Sequence, residues 1–307
     1  MSSHLKDDRV GMWYAVAAYI SWGILPIYWH FLEQIPSLQI LAHRFIWSFL
    51  FVAILITMRK QWPQIKEVFT SVKTVSMVLA GAVFMCANWF IYIWSVTNGH
   101  VIESSLGYYI NPLISIAFGM LFFKERLNLW QTVSLCLASI SVIILTINYG
   151  QIPWVSLSLA LTFALYGLFK KVVHVGPVVS LALETIMMIP VAIAYLGFVE
   201  FNGTGSLGHV SPFVMILLIC SGVLTALPLL WFGIGQKRVS MFTMGFLQYI
   251  APTINLILGI FFFHESFTTV EFVSFSFIWL ALIVFTFSRM KFMRIPIKEE
   301  ELIKENT

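Results

Sequence analysis

Arg44 and Glu184 are ionisable residues set inside long apolar stretches, 140 positions apart. A charge at the centre of a bilayer costs about 2.5–3.5 kcal/mol on insertion scales, so an ionisable group at that depth is read first as functional. Arg44 stands about two turns, ~9 Å, inside its stretch and can alternatively snorkel to the nearer surface. Glu184 can reach in the same way toward Lys170 and Lys171. The two charges are expected ~12 Å apart in depth, which argues against a static salt bridge between them. Arg44 is expected to anchor an outer gate or an anionic substrate group, while Glu184 does the corresponding work nearer the other surface and binds a proton. On this reading Arg44→Gln and Glu184→Gln each abolish function and leave the fold intact.

A second set of groups is neutral. Asn88, Tyr108, Tyr109, Asn111, Gln248, Tyr249 and Asn255, with Trp22 and Trp89 as aromatic walls, combine ring faces with uncharged hydrogen-bonding groups. That mixture suits an amphipathic or aromatic solute. Taken singly, each residue reads more readily as an interhelical hydrogen bond or packing contact; as a repeated constellation they say more. Pro112 and Pro252 lie near the middles of two apolar stretches, where each removes a backbone donor and is expected to break or bend the helix, freeing the carbonyls of Tyr108 and Gln248. Non-helical backbone at such depth is tolerated where it is buried in protein or lines a wet cavity, so each break is an ordinary kink or a cavity wall. Glu103 and Glu271 fall near the ends of their stretches and read as interfacial, with proton coupling as the alternative for Glu103. His43 reads as a helix–helix hydrogen bonder or a proton relay.

Other chemistries find no support. There is no P-loop, nucleophile elbow, HExxH or dinucleotide fingerprint, so direct ATP hydrolysis is not indicated. Nor do catalytic His, Asp or Cys residues cluster at one depth, and no enzyme, cofactor or metal site is expected. Cys86, Cys136 and Cys220 are odd in number and scattered through apolar stretches; they read as packing residues rather than a disulfide or metal framework.

The elements that must position these residues follow from composition. Of 307 residues, 59% are hydrophobic and only 10% charged, against about 25% charged in a soluble domain. A bilayer core of about 30 Å takes roughly 20 apolar residues per helix, and such stretches occupy residues 12–31, 38–58, 74–97, 101–123, 128–147, 153–170, 178–199, 212–235, 240–263 and 268–288. The expected fold is an all-α integral membrane protein of ten transmembrane helices. The first stretch follows Asp7 and Asp8, exceeds a signal-peptide core and has no cleavage site after it, so it is expected to stay. With both termini cytoplasmic, every loop and tail Lys and Arg sorts to the inner side, and the outer loops, including Glu200 to Ser211, carry none. Asn202-Gly203-Thr204 matches a glycosylation sequon but reads as a turn. Ile297 to Thr307 is expected to be a disordered tail.

The chain also repeats. Shifting it by 140 residues aligns Tyr109-Ile110-Asn111-Pro112 with Tyr249-Ile250-Ala251-Pro252, Gly119 with Gly259, and Glu125 with Glu265. Five helices per half force the second copy to insert upside down: Lys124-Glu125-Arg126 becomes His264-Glu265-Ser266, and outward Thr97-Asn98 becomes inward Lys237-Arg238. The expected division is residues 1–148 and 149–290 as two repeats, with 291–307 as a tail. Inverted five-plus-five repeats suit carriers, because two near-equal halves can exchange inward- and outward-open states around a midplane site.

Asn88-Trp89 and the run Asn98–Leu113, together with His43-Arg44, Trp47-Ser48, Tyr166-Gly167 and Gly245–Pro252, resemble the RarD branch of the EamA-type drug/metabolite transporters. The resemblance spans nearly the whole chain. It implies two EamA domains, a plasma-membrane location and a permease whose family name is tied to chloramphenicol sensitivity, without an established substrate. The expected function is a secondary transporter of a small organic solute, drug or metabolite, using a cavity between the halves. Its expected partners are that solute, a proton as candidate coupling ion, and membrane lipid, with no nucleic acid. The alternative is a membrane receptor or scaffold that keeps the fold without transporting.

Overall fold

The computed structural model describes residues 2–98, 100–264 and 268–288. The expected tail, and part of the turn His264-Glu265-Ser266, lie outside them. Twelve helices follow one another: α1 Ser2–His30, α2 Ser37–Met58, α3 Trp62–Val68, α4 Val72–Thr97, α5 Val101–Phe123, α6 Leu129–Tyr149, α7 Trp154–Val172, α8 Pro177–Phe201, α9 Pro212–Arg238, α10 Met241–Gln248, α11 Ile250–Phe261 and α12 Thr269–Ser288. Ten spans among them are long and apolar enough to cross a membrane, with α10 and α11 together making one. The outer surface suits lipid: Ile147, Val191, Phe261 and Phe287 all project from it.

The repeat governs local structure residue by residue. α2, α4, α5 and α6 begin at 37, 72, 101 and 129, and α8, α9, α10 and α12 begin at 177, 212, 241 and 269. Like caps set two of these four pairs of starts. Ser71 and Ser211 each accept a hydrogen bond from the backbone three residues on. Asn128 with Gln131 forms a reciprocal capping box, and Thr268 with Glu271 repeats it. Lys124 and His264, 140 residues apart, both take left-handed backbone at φ 52° and 55°, the first capping α5 and the second just beyond the cap of α11.

Packing follows the same exchange. α1 lies on α9 as α7 lies on α4; α5 lies on α7 as α11 lies on α1. Three pairs map onto themselves, α2 with α8, α5 with α10, and α6 with α12. The molecule is therefore an inverted repeat of two five-span halves. Close approach at α2 and α9 depends on Gly222, where a Cβ would lie 2.3 Å from Trp47.

The structure departs from the sequence expectations at four points. α3 is an additional short helix in the turn between the second and third spans. Its seven residues are too few to cross a bilayer, so hydropathy windows pass over it. The expected pair of proline breaks is unequal: the chain divides at Tyr249, just before Pro252, but α5 runs through Pro112 without interruption. Membrane helices tolerate proline inside a packed bundle, and α5 is tied to the second half one residue along from the freed Tyr108 carbonyl, where Tyr249 donates its hydroxyl to Tyr109 O at 3.2 Å. Cys136 and Cys220 lie exposed on the outer surface, so they are not core packing residues; Cys86 is half-buried, and all three are free thiols. Glu103, expected at an interface, is buried. Gly203 at φ 71° makes the sequon segment a turn, whose Thr204 carbonyl accepts from Gln39 Nε2.

Candidate functional site

A cavity of about 260 Å³ lies within the bundle. It is walled by α1, α4, α5 and the α10–α11 break, with Arg44 of α2 and Thr225 of α9 reaching in. Its lining on α1 is Tyr19, Trp22, Pro26 and Trp29, residues spaced three to four apart that stack on one helix face. Facing them on α4 are Met85, Asn88, Trp89 and Tyr92.

Nine of the expected site residues line this cavity: Trp22, Arg44, Asn88, Trp89, Tyr108, Asn111, Gln248, Pro252 and Asn255. The other five do not. Tyr109 and Tyr249 turn instead into a core of Phe246, Phe275 and Phe285. Successive residues on a helix point about 100° apart, so of Tyr108-Tyr109 only one can face the cavity. Pro112 sits behind the wall, its carbonyl oxygen where a Cβ on Gly245 would lie 2.8 Å away. Glu103 accepts from Val155 N at 3.2 Å and pairs with His100 at 2.7 Å. It thereby fastens α5 to the first turn of α7, where a helix N-terminus favours an anion. Glu184 lies below the cavity. His43 accepts from Trp47 Nε1 and meets Ser206 Oγ at 3.1 Å, a helix-to-loop contact.

Three amides build the wall as well as line it. Asn88 Nδ2 donates to Leu159 O and Thr162 Oγ1. Asn111 Nδ2 donates to Ala160 O at 2.9 Å, and Gln248 Nε2 donates to Asn111 Oδ1 at 2.7 Å. These bonds tie α4, α5, α7 and α10 together at one depth. Asn255 Oδ1 and Tyr19 Oη are buried and have no hydrogen-bond partner among the described residues.

The charges separate across Thr225. Arg44 donates from Nε to Thr225 Oγ1 at 2.9 Å, and its guanidinium carbon lies 4.9 Å from the Trp29 ring and 5.1 Å from the Trp89 ring. On the other side of Thr225 and Trp89 is a void of about 20 Å³ lined by Glu184. There Glu184 accepts from Ser180 Oγ at 2.8 Å and from Tyr166 Oη at 3.2 Å, and its carboxylate stands 2.6 Å from Lys170 Nζ.

The two ends of the bundle differ. At the face where α1 begins, Lys171 Nζ donates to Gln236 O at 3.3 Å and also to Val239 O. Lys237 Nζ donates to Val173 O and Val175 O, and Arg238 pairs with Asp7 at 2.9 Å. These bonds clamp the end of α7 and the start of α1 against the end of α9. The repeat places Phe31 and Thr97 opposite Lys171 and Lys237, residues whose side chains cannot make such charged clamps. Between α1 and α4, where the equivalent closure would form, lies the cavity.

Comparison with known proteins gives this architecture its family. The EamA-like transporter family model matches residues 9–147. The chain is 44% identical to "Uncharacterized transporter YojE" of Bacillus subtilis, covering 94% of this chain and 97% of that protein. It is 38% identical to "Protein RarD" of Escherichia coli over 91% and 95% of the two chains. The chain belongs to the RarD-type EamA transporter family. A more distant RarD-type relative, "Chloramphenicol-sensitive protein RarD" of Pseudomonas aeruginosa, is 27% identical over 94% of this chain. A solved crystal structure at 15% identity superposes with a TM-score of 0.69 over 92% of this chain and 98% of its own, supporting the fold. This RarD-type protein is accordingly a multi-pass membrane transporter of the drug/metabolite superfamily. Cavity residues not singled out from the sequence include Tyr19, Trp29, Phe163 and Thr225; the helical spacing of Tyr19, Trp22, Pro26 and Trp29 is the signal that could have found the first two.

Proposed function

We propose that this protein is a secondary carrier of a small organic solute, working by alternating access with the Arg44 cavity as its binding site. The observation that carries the reading is the unequal closure of the two ends. Lysine clamps seal the face where α1 begins, and the cavity occupies the place of the equivalent seal on the opposite side. Two inverted halves that pack alike can exchange these roles with little change in energy. In this reading the clamped face is cytoplasmic, because the loop lysines and arginines lie there, and the structure is the outward-facing state. The two repeats, residues 1–148 and 149–290, act as the exchanging halves, and the membrane is the plasma membrane.

The lysine clamps are half-buried hydrogen bonds to backbone carbonyls at a helix end, bonds that can be broken and reformed during transport. The test is solute flux in liposomes containing purified protein. Counterflow of a labelled solute that needs the protein supports a carrier; saturable binding without flux under any imposed gradient supports the receptor alternative and overturns this reading.

A further inference from the structure

We infer that Arg44 binds the carboxylate of an organic monoanion whose apolar or aromatic body lies between Trp29, Trp22 and Trp89, and that Arg44 thereby sets the charge selectivity of the cavity. This inference rests on the carrier reading for its consequence in transport, but it concerns binding alone.

Charge balance is the first argument. Among the described residues lining the cavity, Arg44 is the one with a formal charge. The carboxylates that could neutralise it are committed elsewhere: Glu184 to Lys170 and Ser180 beyond Thr225, Glu103 to His100 and the backbone of α7. An arginine cannot lose its proton in a protein, so the cavity carries a permanent positive charge in a low-dielectric surround. Such a charge is stabilised by a partner ion rather than by burial alone. A monoanion balances it, whereas a dianion would bring an unpaired negative charge of its own.

The second argument is geometric. The guanidinium spends Nε on Thr225, and among the described residues its two terminal amino groups have no hydrogen-bond acceptor. Those are the donors that grip a carboxylate in a two-pronged arrangement. The rings of Trp29 and Trp89, at 4.9 and 5.1 Å, hold the guanidinium from two sides, leaving it less free to swing toward lipid or water. Trp22 continues the aromatic wall from Trp29 along the same face of α1. The unpaired Asn255 Oδ1 and Tyr19 Oη offer further polar contacts to the body of the solute.

The test uses three probes of one shape and different charge, phenylacetate, phenylacetamide and phenethylamine, titrated against the purified full-length protein in detergent by isothermal calorimetry. The expected order is phenylacetate first, roughly tenfold or more tighter than the amide because an ionised acceptor replaces a neutral one, with phenethylamine excluded. Arg44→Gln should abolish the preference, bringing phenylacetate and the amide to the same affinity. Arg44→Lys keeps the charge without the fork, and should preserve the preference at lower affinity. Phenylacetate binding no better than the amide, including no binding of either, overturns the inference, as does an Arg44→Gln protein that retains the preference. Flux separates the two readings. Solute transport without anion preference sinks this inference and leaves the carrier standing; anion-selective binding without flux does the reverse.

Discussion

Lys170 Nζ and Glu184 Oε1 lie 2.6 Å apart, both side chains buried, in the half of the bundle nearer the lysine clamps. Arg44, the repeat counterpart of Glu184, has no such partner and meets a hydroxyl and two indole rings instead. One repeat position thus carries a neutralised charge and the other an open one. The difference in partners leads us to expect unlike effects from Arg44→Gln and Glu184→Gln, where the sequence alone suggested like ones.

Glu184→Gln should destabilise the protein. It leaves Lys170 as an unpaired cation where water is scarce, and breaking a buried pair from one side costs on the order of 3–5 kcal/mol. The double variant Lys170→Met with Glu184→Gln should recover most of the loss. Thermal unfolding in detergent measures both, and a double variant no more stable than the single one would show that Glu184 is not held by this pair. If the recovered double variant still fails to transport, the pair has a role beyond folding.

Arg44→Gln should leave unfolding temperature within a few degrees of wild type, since only one hydrogen bond, to Thr225, and two ring contacts are lost. Its solute flux should fall to background. A flux unchanged by the substitution would show that Arg44 is structural.

Gly222→Val should weaken the α2–α9 contact. The first added carbon already falls 2.3 Å from Trp47 backbone and side chain, and overpacking of this sort costs about 1–3 kcal/mol or more. A lowered unfolding temperature checks it; Gly176→Ala, where nothing lies within 4 Å, should have little effect and serves as the control.

Removing both lysine clamps should favour the opposite state. A cysteine at Ala15, buried against Gly235 between α1 and α9, is expected to resist aqueous maleimide in the wild-type background. With Lys171→Ala and Lys237→Ala it should react faster, while a cysteine at Asn255 in the cavity reacts more slowly. Equal labelling in both backgrounds would mean that these lysines do not hold the state.

Topology follows from the ten spans. Reporters fused at Thr307 and after Glu200 should report opposite sides of the membrane, with Thr307 cytoplasmic. The same side for both would refute the span count.

Much of this protein is legible in its sequence because its signals are local. Spans follow from hydropathy, since the bilayer demands a continuous apolar run. The inverted repeat follows from a constant shift of 140, because caps such as Ser71 and Ser211 or Asn128 and Thr268 set helix starts through nearby backbone and need no distant partner. Arg44 stood out for the same reason, a charge where none is cheap. What only the tertiary structure decided is direction and pairing. Tyr108 faces the cavity while Tyr109 faces the core, a difference of one helical step that depends on which neighbour packs on α5. Glu103 reads as interfacial until α7 is brought against it and offers Val155 N. Trp29 and Trp89 flank Arg44 although 60 residues separate the two rings in sequence. Hydropathy specifies how many helices cross the membrane; the close packing of their side chains determines which faces meet, and so which residues share the cavity.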